Sequence, residues 1–185
     1  LGLYANDIGA TLTVTNNELD NNGSDGMFTW NSTYGTLTAT GNQIHNNGQW
    51  GVKIYTGVTQ TQTMINDNDI YGNGAGFGGL WNANGFQVNA INNSWGDVSG
   101  PYNAAYNSNG LGDDVTGNVS FIPWTDMPSP TVVSVDPNLG LPNETLTGVV
   151  ISGTYFNGAT DVDFGAGITV SNSSVNSSGT QITVD

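Results

Sequence analysis

Five aromatic residues recur at nearly constant spacing. Tyr4, Trp30, Tyr55, Trp81 and Tyr106 are separated by 26, 25, 26 and 25 residues. Aromatic ring faces are apolar, so a stripe of them on one side of a repeating scaffold could stack against sugar rings. The competing expectation is that the rings stack on one another at a turn and only stabilise it. Residues for bond-making chemistry are sparse. Asp113-Asp114 is the only adjacent acidic pair, His45 the only histidine and Lys53 the only basic residue. General acid–base catalysis needs two groups placed across a substrate with separated pKa values. No such arrangement is legible, so no catalytic residue is assigned and the chain is expected not to be an enzyme. Asp113-Asp114 is expected to solvate a loop, or at most to hold a weak Ca²⁺. Asp67 and Asp69, flanking Asn68, could likewise hold Ca²⁺, but no known spacing motif supports it. No metal site or other cofactor is implied, and His45 is expected to be an exposed turn residue.

A repeat positions these residues. Asn17-Glu-Leu19-Asp-Asn-Asn22-Gly23 returns as Asn42-Gln-Ile44-His-Asn-Asn47-Gly48 and as Asn68-Asp-Ile70-Tyr-Gly-Asn73-Gly74. A fourth copy opens at Asn93-Ser-Trp95-Gly96, and the spacings are 25, 26 and 25 residues. Before each leading Asn, apolar residues tend to alternate: Leu12 and Val14, Leu37 and Ala39, Val88 and Ala90, with Thr63 and Ile65 a weaker instance in the third copy. Period-two alternation predicts strands with one buried face. After each copy comes Gly and another short strand: Gly26 to Trp30, Gly51 to Tyr55, and Gly79 to Trp81. The opening Gly2-Leu3-Tyr4 fits the end of an earlier copy. Several short strands per period, with no room for a helix, predict a parallel β-solenoid whose coils bury their apolar faces by stacking. The leading residues Asn17, Asn42, Asn68 and Asn93 would then form a structural ladder of side-chain amides. Within Gly51 to Tyr55, alternation turns Val52 and Ile54 inward and Lys53 and Tyr55 outward. Thr11, Thr13 and Thr15 above Thr36, Thr38 and Thr40 are expected to be ordinary strand-surface residues.

Composition bounds the partners. The formal net charge is −14 over 185 residues, with one Lys and no Arg. Such a chain is repelled by nucleic acid and by anionic lipid. Hydrophobic residues make up 36% and aromatics 10%, enough for a core. The 27 Gly and 26 Asn, 21 of the Asn within the first 125 residues, predict many tight turns. No apolar run approaches the length of a membrane span, so no direct membrane insertion is expected. The chain starts and stops within its patterns, which suggests a piece of a longer protein. The Asn-x-Ser/Thr triplets at Asn31, Asn118, Asn143, Asn172 and Asn176 are what chance yields in so Asn- and Ser-rich a chain.

The run from Asn92 to Trp124 carries Trp95-Gly96, Gly100-Pro101, Gly112-Asp113 and Asn118-Val-Ser-Phe121-Ile-Pro123-Trp124. It resembles the closing coil of the right-handed parallel β-helix repeat family of secreted and cell-surface proteins. The resemblance covers residues 1–125 and implies a right-handed solenoid, with Trp95, Phe121 and Trp124 supplying the cap that a solenoid end needs. It does not imply an activity, because members range from surface proteins to polysaccharide-degrading enzymes. Polygalacturonases on such solenoids join an acidic pair to a histidine and an arginine-lysine pair, and pectate lyases use an arginine base. This chain lacks arginine altogether.

Residues 126–130 form a Pro-rich linker. Beyond it the repeat ends. Strand-like runs follow at Thr131 to Val135, Leu146 to Ser152 and Ile168 to Val170, with a last one ending at Asp185. Residues 131–185 resemble the start of an IPT/TIG-type immunoglobulin-like domain, through Ser134-Val-Asp-Pro-Asn138, Ile151-Ser-Gly-Thr-Tyr-Phe156 and Asp161-Val-Asp-Phe-Gly165. Some 55 residues do not close such a sandwich, so the expectation is that the rest of the domain lies outside this sequence, the alternative being that another chain completes the open sheet edge by strand addition.

The expected architecture is therefore all-β: a right-handed parallel β-helix followed by a partial immunoglobulin-like β-sandwich. The expected function is a non-enzymatic structural or adhesion module, extracellular or on the cell surface, whose partners are polysaccharide or other surface proteins. One alternative is the non-catalytic C-terminal part of a polysaccharide lyase or glycoside hydrolase. The other is a subunit of a filament or sheath that assembles with copies of itself by strand addition.

Overall fold

The structure, a computed structural model, describes residues 2–6, 11–30, 36–55 and 62–185. The triplet at Asn31 lies outside them. Among the described residues every regular element is a strand and none is a helix. The chain divides into two compact units. The first comprises residues 1–103 and 110–127, and the second comprises 104–109 and 128–185.

Three parallel sheets build the first unit, each taking at most one strand per repeat. Sheet A contains Leu3–Asn6, Met27–Trp30, Val52–Ile54, Leu80–Asn82 and Val115–Thr116, paired in that order. Sheet B contains Leu12–Thr15, Leu37–Thr40, Thr63–Asn66, Val88–Asn89 and Val119–Ser120. Sheet C contains Glu18–Asp20, Gln43–His45 and Asp69–Tyr71, and an isolated bridge from Asp69 to Ser94 continues it. The arrangement is all-β with multi-strand parallel sheets, consistent with a solenoid-like fold.

In-register pairing puts like residues in rows. Val14, Ala39 and Ile65 face one another in sheet B. Met27, Val52, Leu80 and Val115 do so in sheet A, and Leu19, Ile44 and Ile70 in sheet C. A one-residue slip would turn each row out to water, so burial of one face pins the register. Leu37, Ile44, Ile54, Ile65, Ile70 and Leu80 have no exposed surface. Each contributes about 1.5–3 kcal/mol by leaving water.

The abundance of Asn and Gly has a local cause. Asn16, Gly41, Asp67 and Asn92, each just before a leading Asn, have φ of 55°, 67°, 57° and 58°. Asn21, Asn46 and Gly72 occupy the corresponding position at the next corner, with φ of 51°, 53° and 63°. Left-handed backbone is tolerated best by Gly, Asn and Asp, so these corners select them.

Trp95, Phe121 and Trp124 are all buried in the core of the first unit. Trp124 Nε1 donates to the Val98 carbonyl at 3.0 Å. Its indole lies so close to Gly100 (φ 78°) that a Cβ there would stand 2.5 Å from Trp124 Cε2.

The second unit carries an antiparallel sheet in the order Thr131–Asp136, Val149–Thr154, Gln181–Val184, Ser174–Val175. Val149, Ile151, Phe156, Ile182 and Val184 form its core. The run Ile168 to Val170, expected to be a strand, is not one. It follows Gly165 and Gly167, both at positive φ, and Ser174–Val175 takes the sheet position instead. Residues 104–109 join this unit, where Asn157 Nδ2 donates to the Tyr106 carbonyl at 2.6 Å and Ser108 N donates to the Ser177 carbonyl at 3.0 Å.

Candidate functional site

Two side-chain ladders run along the first unit. In the first, the Asn42 side-chain oxygen accepts from the backbone and side-chain N–H of Asn17, at 3.0 and 3.2 Å. Asn68 does the same for Asn42 and Asn93 for Asn68, all at 2.8–3.0 Å. Each side-chain amide thus closes a backbone donor that the corner leaves unpaired, and buried polar groups of this kind stabilise only when fully bonded. The second ladder is Asn22, Asn47 and Asn73, bonded in the same manner. Asp113 ends it. Its carboxylate accepts from Gly72 N, Asn73 N and Asn73 Nδ2 at 3.0, 3.0 and 2.9 Å.

Asp113 therefore does not solvate a loop. Burial pushes its carboxyl above the ordinary value, although the bonds from Asn73 and Gly72 pull the other way. Burial also raises Asp114. His45 likewise departs from expectation. It is buried within strand Gln43–His45, with its ring stacked on Tyr71 at 4.8 Å and Nε2 3.5 Å from a Glu18 oxygen. Parallel pairing of Asp20, His45 and Tyr71 puts these side chains in one row. Among the described residues no group of three His, Cys, Asp or Glu side chains could hold a metal ion.

The aromatic residues gather on the outer face of sheet A, in a different register from the one their spacing implies. Tyr4 pairs with Phe28, Phe28 with Lys53, and Lys53 with Trp81. Trp30 stands in the neighbouring row with Asn6, and the bond from Tyr55 N to the Thr29 carbonyl sets Tyr55 beside it. Tyr106 belongs to the second unit. A single column of Tyr4, Trp30, Tyr55, Trp81 and Tyr106 is thus not formed. The reason is turn length. Val52 lies ten residues beyond Asn42 and its partner Leu80 twelve beyond Asn68, so two extra residues at the corner shift Trp81 by a full side-chain alternation.

What forms instead is a connected band of rings. Centroids are 5.5 Å apart for Tyr4 and Phe28, 6.0 Å for Phe28 and Tyr55, and 5.7 Å for Tyr55 and Trp81. Trp50 continues the band, 5.8 Å from Trp81 and 6.1 Å from Phe77. Tilted and edge-on contacts at these distances are the preferred aromatic geometries. Tyr4 and Phe77 at the two ends of the band are exposed, and the rings between them are half-buried.

Lys53 sits at the centre. Its Nζ is 5.1, 5.3 and 5.2 Å from the ring centroids of Phe28, Tyr55 and Trp81. It lies 4.0 Å from Asp25 Oδ2, and the other oxygen of that buried carboxylate accepts from Trp50 N at 3.1 Å. Asp25 therefore ties the ammonium and the Trp50 corner to one point. Cation–π attraction and the ion pair hold Lys53 across the rings, and its alkyl stem adds apolar surface to them. The spacing of five aromatics pointed to this sheet but left out Phe28, Trp50 and Phe77. Strand alternation around Val52 and Ile54 is the signal that would have included Phe28, the counterpart of Lys53 in the preceding repeat.

The sheets and the ring band define an all-β protein with parallel multi-strand sheets and an aromatic outer face. No family model matches this chain, and no curated protein or solved structure matches it.

Proposed function

We propose that the first unit is a right-handed parallel β-helix of the secreted or cell-surface kind. On this reading the second unit begins an IPT/TIG-type immunoglobulin-like domain. The chain works without catalysis, as an extracellular structural or adhesion module that holds polysaccharide against its aromatic face. One observation carries this reading: Tyr4, Phe28, Tyr55, Trp81 and Trp50 make an unbroken series of ring contacts across four repeats of sheet A. A rigid, half-buried aromatic surface contributes contact area at low cost in side-chain entropy, which suits it to stacking on pyranose rings. The three N–H donors that take up the Asp113 carboxylate favour a structural role for it over that of a general acid.

A glycan array tests the proposal, comparing the parent chain with a Trp50→Ala/Trp81→Ala variant of unchanged far-ultraviolet circular dichroism. Retention of a glycan by the parent, with a loss of about tenfold or more in the variant, is the expected outcome. Equal binding by both would remove the aromatic face from the function.

Self-assembly is favoured by a separate observation. Thr131–Asp136 is an edge strand, and Val132 and Val133 on it are 63% and 79% exposed. Unpaired edges with apolar side chains template strand addition. Light scattering that finds only monomer at high concentration would rule out this second reading.

A further inference from the structure

We infer that the aromatic face takes neutral polysaccharides and discriminates against uronate-bearing or sulfated ones. The inference rests on the reading of that face as a sugar-contacting surface.

Recognition of a carboxylate or sulfate needs a cation or a converging set of N–H donors. The whole sequence contains one Lys and no Arg. That one ammonium is committed within the site. Lys53 Nζ stands 4.0 Å from the Asp25 carboxylate and about equally far from three ring centroids, at 5.1–5.3 Å. Asp25 is buried, so its charge is not dissipated into water and stays directed at Lys53. An anionic sugar would have to compete with that carboxylate for the ammonium while approaching the ring faces. Those faces carry the negative end of the aromatic quadrupole, which attracts cations and C–H groups and repels anions. The one histidine, His45, is on sheet C beside Glu18. At longer range the formal charge of −14 opposes the approach of any polyanion.

A neutral pyranose meets none of these obstacles. Its C–H face can lie on the rings without a cation to recognise it and without a change in net charge. Because no net charge is neutralised on binding, affinity should be nearly independent of ionic strength.

Binding of the intact chain to two panels of polymers tests this inference, with EDTA present to remove bridging by Ca²⁺. The neutral panel is glucan, xylan, mannan and galactan. The acidic panel is polygalacturonate, alginate and heparin. The expected result is at least one neutral polymer bound about tenfold or more tightly than any acidic one, equally at low and high salt. That binding should also be lost in Trp50→Ala/Trp81→Ala. An acidic polymer bound as tightly as the best neutral one, and lost in the same variant, would overturn the selectivity and leave the sugar-contacting face standing. Silence in both panels would overturn the face itself, and the selectivity with it.

Discussion

The Asp113 carboxylate occupies the place where a further asparagine of the Asn22–Asn47–Asn73 ladder would stand, accepting from Asn73 N at 3.0 Å and from Asn73 Nδ2 at 2.9 Å. One residue type replaces another at the ladder's end because the requirement is for an acceptor. Asp113 has no neighbour of the same ladder to donate to, and a carboxylate supplies a second oxygen for Gly72 N.

Replacing Asp113 by Ala leaves three N–H donors without their acceptor. We expect a loss of about 2 kcal/mol or more, read from urea unfolding. Asp113→Asn keeps one acceptor oxygen and should recover most of that loss.

The same carboxylate imposes a pH dependence. Burial raises the Asp113 pKa above the ordinary 3.8. A group whose pKa is raised by folding is more readily protonated in the folded state than in the unfolded state. The part of its contribution that is linked to protonation is full below 3.8 and is lost as pH rises through the raised value, while the hydrogen bonds its oxygens accept remain. The stability of the parent relative to Asp113→Asn should therefore fall as pH is raised from strongly acid toward neutral. A difference that stays flat, or that grows with pH, would contradict the raised pKa.

Asn68 holds the centre of the other ladder. It accepts from Asn42, and its amide donates to the carbonyls of Ala39 and Asn66 and to the Asn93 side chain. Asn68→Ala should cost about 3 kcal/mol, because several buried groups lose partners together. Asn68→Asp should be nearly as damaging, since a carboxylate cannot donate to Ala39. Thermal or urea unfolding of the three proteins checks both statements.

Glycine content separates into required and replaceable positions. At Gly100, φ is 78° and a Cβ would press into the Trp124 indole. At Gly23 a Cβ would meet nothing within 4 Å. Gly100→Ala should therefore cost about 2 kcal/mol or more, and Gly23→Ala should stay within about 0.5 kcal/mol of the parent. Equal melting temperatures for the two variants would mean that the loop around Gly100 relaxes freely.

Much of the architecture is legible in the sequence. Recurrence of Asn17, Asn42, Asn68 and Asn93 at 25–26 residues, with alternating apolar positions between them, determined an all-β chain of short stacked strands. Local chemistry suffices for this: period-two burial needs only a chain's own side chains, and left-handed corners select Asn and Gly wherever they fall. Three features were decided only by tertiary structure. Trp81 faces Lys53 and not Tyr55, because register follows hydrogen bonding between repeats and absorbs the two extra residues at the corner. Asp113 reaches Asn73 across 40 residues of chain, and no short-range pattern encodes that contact. Tyr106, although its spacing continues the series, joins the second unit, where its carbonyl meets Asn157. Spacing measures distance along the chain, and these contacts depend on which segments share a hydrogen-bonded ladder in space.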